Sequence, residues 1–410
     1  MLRLAALTAL LLVAPAARGA DVPASSCVDC HGDLLEEAGG DIHRAAGLTC
    51  VACHGGDPRA EEQERAMSPA RGYIGVPTAM AAATLCSRCH SDIERMRVVN
   101  PRLPTDQLAQ YRTSEHGKLA ARGNERVATC VSCHGAHGVR PVKDPASPAS
   151  KARIVETCSG CHNARYMVGF PILTDQLEKY EQSVHGRKRL GERYLAAPAC
   201  NDCHGNHGAA PPGVFAVTHV CGSCHATQAE LFEGSTHASH FRDFEAPPCT
   251  TCHNHHAIRA TSDEMLGTGE RGTCAACHTP GDRCDEATRA MRAGLARLST
   301  HTEDARDLLA RARRTGMDVE RPTFDLAGAD DALVRARVEI HAFSEEHLEK
   351  VIDEGIEIAE DVQKAARSKL DEYQYRRKGL AAAAAMLLLF AGLLALRAHR
   401  LEKKRPSEGP

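Results

Sequence analysis

Two apolar stretches bracket a long, mostly polar chain. The first begins with Arg3, runs apolar from Leu4 to Val13 and ends in the small residues Ala17-Arg18-Gly19-Ala20. That order predicts a secretory signal peptide over residues 1–20, with cleavage after Gly19 or Ala20. As a membrane anchor the run is too short. The second stretch, residues 379–396, is uncharged and apolar, with Ala381–Ala385, Met386, Leu387–Phe390, Leu393 and Leu394. It just reaches the length of a transmembrane helix, for which about 20 residues are usual. Arg376, Arg377 and Lys378 precede it, and Arg397, Arg400, Lys403, Lys404 and Arg405 follow. Charge on both flanks leaves the orientation to the signal peptide: a single-pass protein of the cell inner membrane, its bulk in the periplasm, with residues 397–410 as a basic cytoplasmic tail.

Ahead of that stretch, residues 285–378 carry a helical period. Met291, Leu295, Leu298, Leu308 and Leu309 trace one face. A break is predicted around Gly316–Gly328, which contains Pro322. A second helix then runs from Asp331 on a stripe of Val334, Val338, Leu348, Ile352, Ala359, Val362, Ala366 and Tyr373. At 1.5 Å per residue it would extend roughly 70 Å before the bilayer. The expectation is a long helical hairpin, or stalk, feeding a C-terminal transmembrane helix.

Residues 21–284 have neither period. Gly and Pro punctuate them, and Cys-x-x-Cys-His recurs nine times. The cysteines are Cys27, Cys30, Cys50, Cys53, Cys86, Cys89, Cys130, Cys133, Cys158, Cys161, Cys200, Cys203, Cys221, Cys224, Cys249, Cys252, Cys274 and Cys277. The histidines are His31, His54, His90, His134, His162, His204, His225, His253 and His278. Two thiols at this spacing match the two vinyl groups of one haem, and the adjacent His reaches the iron as proximal ligand. Zinc sites join two CxxC halves, or one half with a spaced His pair, and need no His after every second Cys. Eighteen of nineteen cysteines lie in these motifs; Cys284 is left over. The cofactor expectation is nine covalently bound haem c groups, attached on the oxidising side of the membrane.

Composition agrees. The chain has no Trp and only 4% aromatic residues, a thin supply for an ordinary core, so haem would provide the apolar bulk. Formal net charge is −3, and two propionates per haem would make the loaded protein clearly acidic. Nucleic acid is therefore excluded as a partner.

The haem region repeats. Tyr111-x-x-Ser114-x-His116-Gly117 precedes the motif at Cys130 and His137, and a lone motif follows at Cys158. Tyr180, Ser183, His185 and Gly186 precede Cys200 and His207, with Cys221 following. Phe232, Ser235, His237 and Ala238 precede Cys249 and His255-His256, with Cys274 following. A degenerate copy holds His43, Cys50 and Cys86. The region reads as one leading haem plus four two-haem units. Distal ligands decide function, because an iron with His on both faces carries electrons but binds no substrate. The candidates are His43, His116, His137, His185, His207, His237, His255, His301 and His341. His256 is an alternative to His255. In the helical stalk, His301, His341 or His347 either reaches a haem or is merely part of the stalk. The second histidine after each paired motif lies too close to its proximal neighbour to reach the far face of the same haem, so it would serve another.

Haem pairs preceded by Ser-x-His-Gly and marked by CxxCH-Gly-x-His resemble the doubled-CxxCH, class III-like multihaem cytochromes. The helical segment after the last haem is similar, in outline, to the octahaem hydroxylamine-oxidoreductase and pentahaem nitrite-reductase group. The resemblance implies a mostly α and irregular, haem-packed fold with few strands, bis-His irons and electron transfer in bacterial respiration. Two features depart from it. No CxxCK motif is present, and the anchor is C-terminal, unlike that of the quinol-oxidising tetrahaem relatives. Two functions follow. One is a membrane-anchored electron carrier between an inner-membrane quinol-oxidising partner and periplasmic cytochromes or reductases. The other is a reductase or oxidase of a small nitrogen or sulfur oxyanion at one open haem, with those at Cys27 and Cys86 the places to look. The supply of histidines favours the carrier. A metal- or redox-sensing module is disfavoured, because only a short basic tail lies beyond the membrane.

Overall fold

The computed structural model describes residues 25–403, apart from 38, 214 and 215. The expected signal peptide (1–20), and Lys404 and Arg405 of the basic tail, lie outside the described residues. Among these residues the regular elements are all helical, with no strand. The chain divides into two compact units. One runs to Pro212 and takes in His255–Arg259; the other holds Gly213–Asn254 and everything from Ala260 onward. The compact units thus change after Pro212, not where the composition changes after Cys284. The last three motifs share a unit with the long helices.

In the first unit the helices are short and the repeat has a physical basis. Ser114 and Ser183 are 0% and 1% exposed. Each hydroxyl donates to the carbonyl of the tyrosine three residues back (2.6 Å) and accepts from the glycine N–H three residues on (2.9 Å). This helix cap fixes His116 and His185 in a first turn. A Cβ on Gly117 or Gly186 would stand 1.9 Å from the carbonyl oxygen of Tyr111 or Tyr180, so only glycine fits. The tyrosine hydroxyls donate to Ala128 O (2.9 Å) and Pro198 O (2.8 Å), tying each cap to the peptide just ahead of the next motif. In the degenerate copy Asp41 replaces the serine and accepts from the N–H groups of His43 and Arg44.

Consecutive copies are linked backbone to backbone. The N–H after each cap donates to a carbonyl in the next copy: Ile42 to Val139 (2.9 Å), Glu115 to Ala209 (3.4 Å) and Val184 to Ile258 (2.8 Å). The segment His255–Arg259 belongs to the first unit through this last bond.

In the second unit the core lies among three long helices, Arg283–Arg314, Glu320–Glu339 and Glu345–Glu402. Leu295, Leu298, Ala332, Ala336, Leu348 and Ile352 form one buried cluster, and Ala305, Leu309, Ala329, Ala359, Val362 and Ala366 form another. Small residues set the spacing. A Cβ on Gly355 would meet Ala332 at 2.7 Å, and one on Gly294 would meet Ile352 at 2.6 Å. The expected hairpin is present, but two of its details differ. Pro322 does not break the chain: it lies in the first turn of Glu320–Glu339, where its missing N–H has no helical partner to lose. The expected break is present at 315–319, around Gly316, and a second comes at Ile340–Ser344, where Phe343 adopts a left-handed φ of 51°. Val334 consequently faces out at 60% exposure, and Ala329, Ala332 and Ala336 make the contact. The last helix leaves the core after Ala366 and continues through the apolar stretch, which is exposed along its length. It alone among the described helices is long and apolar enough to cross a membrane.

Candidate haem sites

The motifs at Cys50, Cys130 and Cys200 each form a one-turn helix ending at the histidine. Residues at i, i+3 and i+4 share a helix face, so both thiols and the imidazole point the same way. The chain then has to turn off that face. Gly55, Gly135 and Gly205 do so at φ of 68°, 85° and 80°, and Asn254 does it at 62°.

Other imidazoles stand opposite the motif imidazoles. His54 faces His137 with ring centres 6.2 Å apart, His90 faces His43 at 5.9 Å, and His134 faces His207 at 6.2 Å. His162 faces His116 at 6.0 Å, and His204 faces His256 at 5.9 Å. In the second unit His253 faces His341 at 6.1 Å, and His278 faces His237 at 6.2 Å. This spacing is diagnostic. A metal–imidazole bond is about 2 Å and the nitrogen lies about 1.1 Å from the ring centre, so two imidazoles on one metal sit roughly 6.2 Å apart. The rings are too far apart to touch and correctly spaced for an iron between them. The residues therefore fit haem.

Burial suits the same role. Desolvation lowers the pKa of His90, His116, His134, His162, His207 and His237. His256 is pushed down to about 4 by burial and then by His255 beside it. A low pKa keeps imidazole neutral, the form that binds metal. The outer nitrogens are held as well: His54 Nδ1 lies 3.0 Å from Gly75 O, and His204 Nδ1 lies 3.2 Å from Ala210 O.

The facing pairs follow a rule. The capped histidine of a copy faces the lone motif of its own copy, as His43, His116 and His237 do. The histidine after a paired motif faces the paired motif of the preceding copy, as His137, His207 and His256 do. For the motif at Cys249 no later copy exists. His341, on the turn between two long helices, takes that place, with its Nδ1 2.9 Å from Val338 O. On the same turn Phe343 stacks on His237 at 3.9 Å, a contact that sequence reasoning missed.

Two expected residues are placed elsewhere. His255 does not face a motif histidine; it packs edge-on against His256 at 4.8 Å, and His256 is the residue aimed at His204. Spacing could have found it, since His137, His207 and His256 all lie three residues past their motif histidine. His301 sits in the helical core region, its carbonyl accepting from Gln363 and its ring 3.8 Å from Glu360. His347 lies in the first turn of the last long helix, where its N–H donates to the Ser344 hydroxyl. His185 is held in its capped turn like His116. Among the described residues no imidazole ring faces His31; its motif precedes the repeat, and the copy that follows has Asp57, not a histidine, three residues past its motif histidine His54.

Neighbouring motifs approach one another through their cysteines, in chain order: Cys27 lies beside Cys50, Cys86 beside Cys130, Cys158 beside Cys200 and Cys221 beside Cys249. Between these, burial first and a neighbouring thiol second raise the pKa of Cys53 (beside Cys86), Cys133 (beside Cys161) and Cys252 (beside Cys274). The adjacent pairs straddle the expected two-haem units, because the copies interlock. Within each unit the attachment points thus form an unbroken series, from Cys27 to Cys200 in one and from Cys221 to Cys274 in the other.

Residues 42–163 match the cytochrome c3 family. The matched segment holds the motifs at Cys50, Cys86, Cys130 and Cys158 and the facing histidines His43, His116 and His137. The match supports a multihaem c-type cytochrome, with covalently bound haem and electron transfer as its chemistry. No curated protein and no solved structure was found to match the chain.

Proposed function

We propose that the chain is a nonahaem cytochrome c, anchored in the inner membrane by its last helix. It would pass electrons between a quinol-oxidising membrane partner and periplasmic cytochromes or reductases. The finer likeness to the doubled-CxxCH cytochromes belongs to this reading. The observation that carries it is the seven facing imidazole pairs at 5.9–6.2 Å. Bound haem supplies a reversible one-electron Fe(III)/Fe(II) couple. The residues do the rest. The facing imidazoles would hold each iron from both sides, and their buried, neutral rings would keep protons out of the step. Motif cysteines adjacent in chain order would place successive haems near one another. The membrane helix has no acid or histidine between residues 379 and 396, so its role is to tether rather than to bind quinol.

His31 favours a second reading, restricted to the leading haem: small-ligand chemistry at an iron without a second imidazole. One experiment tests both. A pyridine haemochrome assay should give nine haems per chain, and carbon monoxide should bind at most one haem equivalent of the reduced protein. Binding at several haems would refute the carrier reading, and a haem count below nine would refute the attachment.

A further inference from the structure

Of three motif histidines with a partner on the outer nitrogen, one differs from the other two. His54 and His204 have backbone carbonyls there, whereas His278 Nδ1 lies 3.2 Å from the Asp282 carboxylate Oδ2. We infer that Asp282 is a positioning residue that lowers the reduction potential of the haem at Cys274 and Cys277.

The side chain has two tasks. Oδ1 accepts the N–H of Asp285 at 2.9 Å and caps the helix Arg283–Arg314. Oδ2 accepts the N–H of Thr279 at 3.0 Å and faces His278. A helix cap needs only the first oxygen. An aspartate carboxyl is an anion at neutral pH, and here two backbone N–H groups fix its orientation. An anion accepting the Nδ1 proton gives the imidazole imidazolate character and makes it a stronger donor to the metal. A stronger, more negative ligand favours ferric over ferrous iron and lowers the potential. The neighbouring carboxylate, Asp285, is occupied by Thr268, Gly281 and Arg289, leaving Asp282 as the negative group on this ring.

The placement gives the tuning a use. His278 is the last motif histidine, and the capped helix is the first of the three that lead to the apolar segment. A lowered potential there suits a haem that receives electrons from the membrane side. This consequence rests on the electron-carrier reading; the effect of Asp282 on one iron does not.

The test is Asp282→Asn in the full-length, haem-loaded protein, with Asp282→Ser as a second variant. Asn and Ser both cap helices well, so the fold should be kept, while the negative charge on His278 is lost. Spectroelectrochemical titration should show one haem of the set with its reduction equilibrium shifted at least tenfold toward the ferrous state, about 59 mV for one electron. The other midpoints, the haem count and the helical circular dichroism should not move. Unchanged midpoints in both variants, with haem count intact, would overturn the inference. A wild-type protein with fewer than nine haems would instead point to a failure of the attachment reading, so the two outcomes are distinguishable.

Discussion

His341 faces His253 across 6.1 Å with the ring planes only 23° apart, although 88 positions separate them in the chain. Every other pair described draws its second imidazole from the repeat itself. This one draws it from a short turn, Ile340–Ala342, between two long helices. The helical bundle therefore supplies the imidazole opposite His253 as well as leading to the apolar segment. Arg337, one turn earlier, pairs with Asp263 at 2.9 and 3.0 Å and fixes that end of its helix.

Replacing His341 by Met tests this cap. The haem count should remain nine, and one haem should rise in potential, because thioether ligation favours reduced iron. His301→Met, in the bundle core region beside Glu360, should leave every midpoint unchanged. Equal effects from the two substitutions would contradict the placement of His341.

Ring orientation predicts two kinds of ferric signal. The planes of His43 and His90 cross at 82°, while those of His134 and His207 lie 16° apart and those of His204 and His256 23° apart. Parallel rings act on one iron d orbital and split it from its partner; crossed rings act on both and leave them nearly degenerate. Electron paramagnetic resonance of the oxidised protein should contain both rhombic and highly anisotropic low-spin components. A single rhombic class would rule out the crossed pair.

Gly186→Ala should be among the most damaging small substitutions in the first unit. The added methyl would sit 1.9 Å from Tyr180 O, so the cap that places His185 has to shift. A cost of about 3 kcal/mol is expected for such overpacking, read as a lower midpoint in denaturant. Ala238→Gly, at the equivalent position of the last copy, should cost under about 1 kcal/mol.

Ending the chain after Glu372 removes the exposed apolar segment and keeps the buried cluster through Ala366 and its neighbour Leu370. The truncated protein should be soluble, hold nine haems and accept electrons from an artificial reductant at an unchanged rate. Delivery from membrane quinol should fall, because the tether no longer raises the local concentration beside a membrane partner. If full-length protein in liposomes oxidises menaquinol unaided and the truncated form does not, the span carries a quinol site.

Haem attachment was readable from the sequence because it is local: two thiols and an imidazole within five residues define one site. The same holds for the capped Ser-x-His turns, whose hydrogen bonds stay within six residues, and for the apolar last helix. His256 shares with His137 and His207 the three-residue offset from its motif histidine, a signal in the sequence that distinguishes it from His255. Pro322 suggested a break because proline disrupts helix interiors, but the first turn tolerates it.

What the tertiary structure alone decided is which histidine faces which motif histidine. The facing imidazole lies beyond the reach of the motif's own peptide, so it arrives from the capped turn of the same copy, from the next copy or from the helical bundle. No local spacing encodes that partnership. It depends on the backbone links between copies, on the turn at Phe343, and on the packing of Ala332 against Gly355 that holds the bundle in place. The sequence by itself determined where the attachment motifs lie; the packing of distant segments decided which imidazoles stand opposite them.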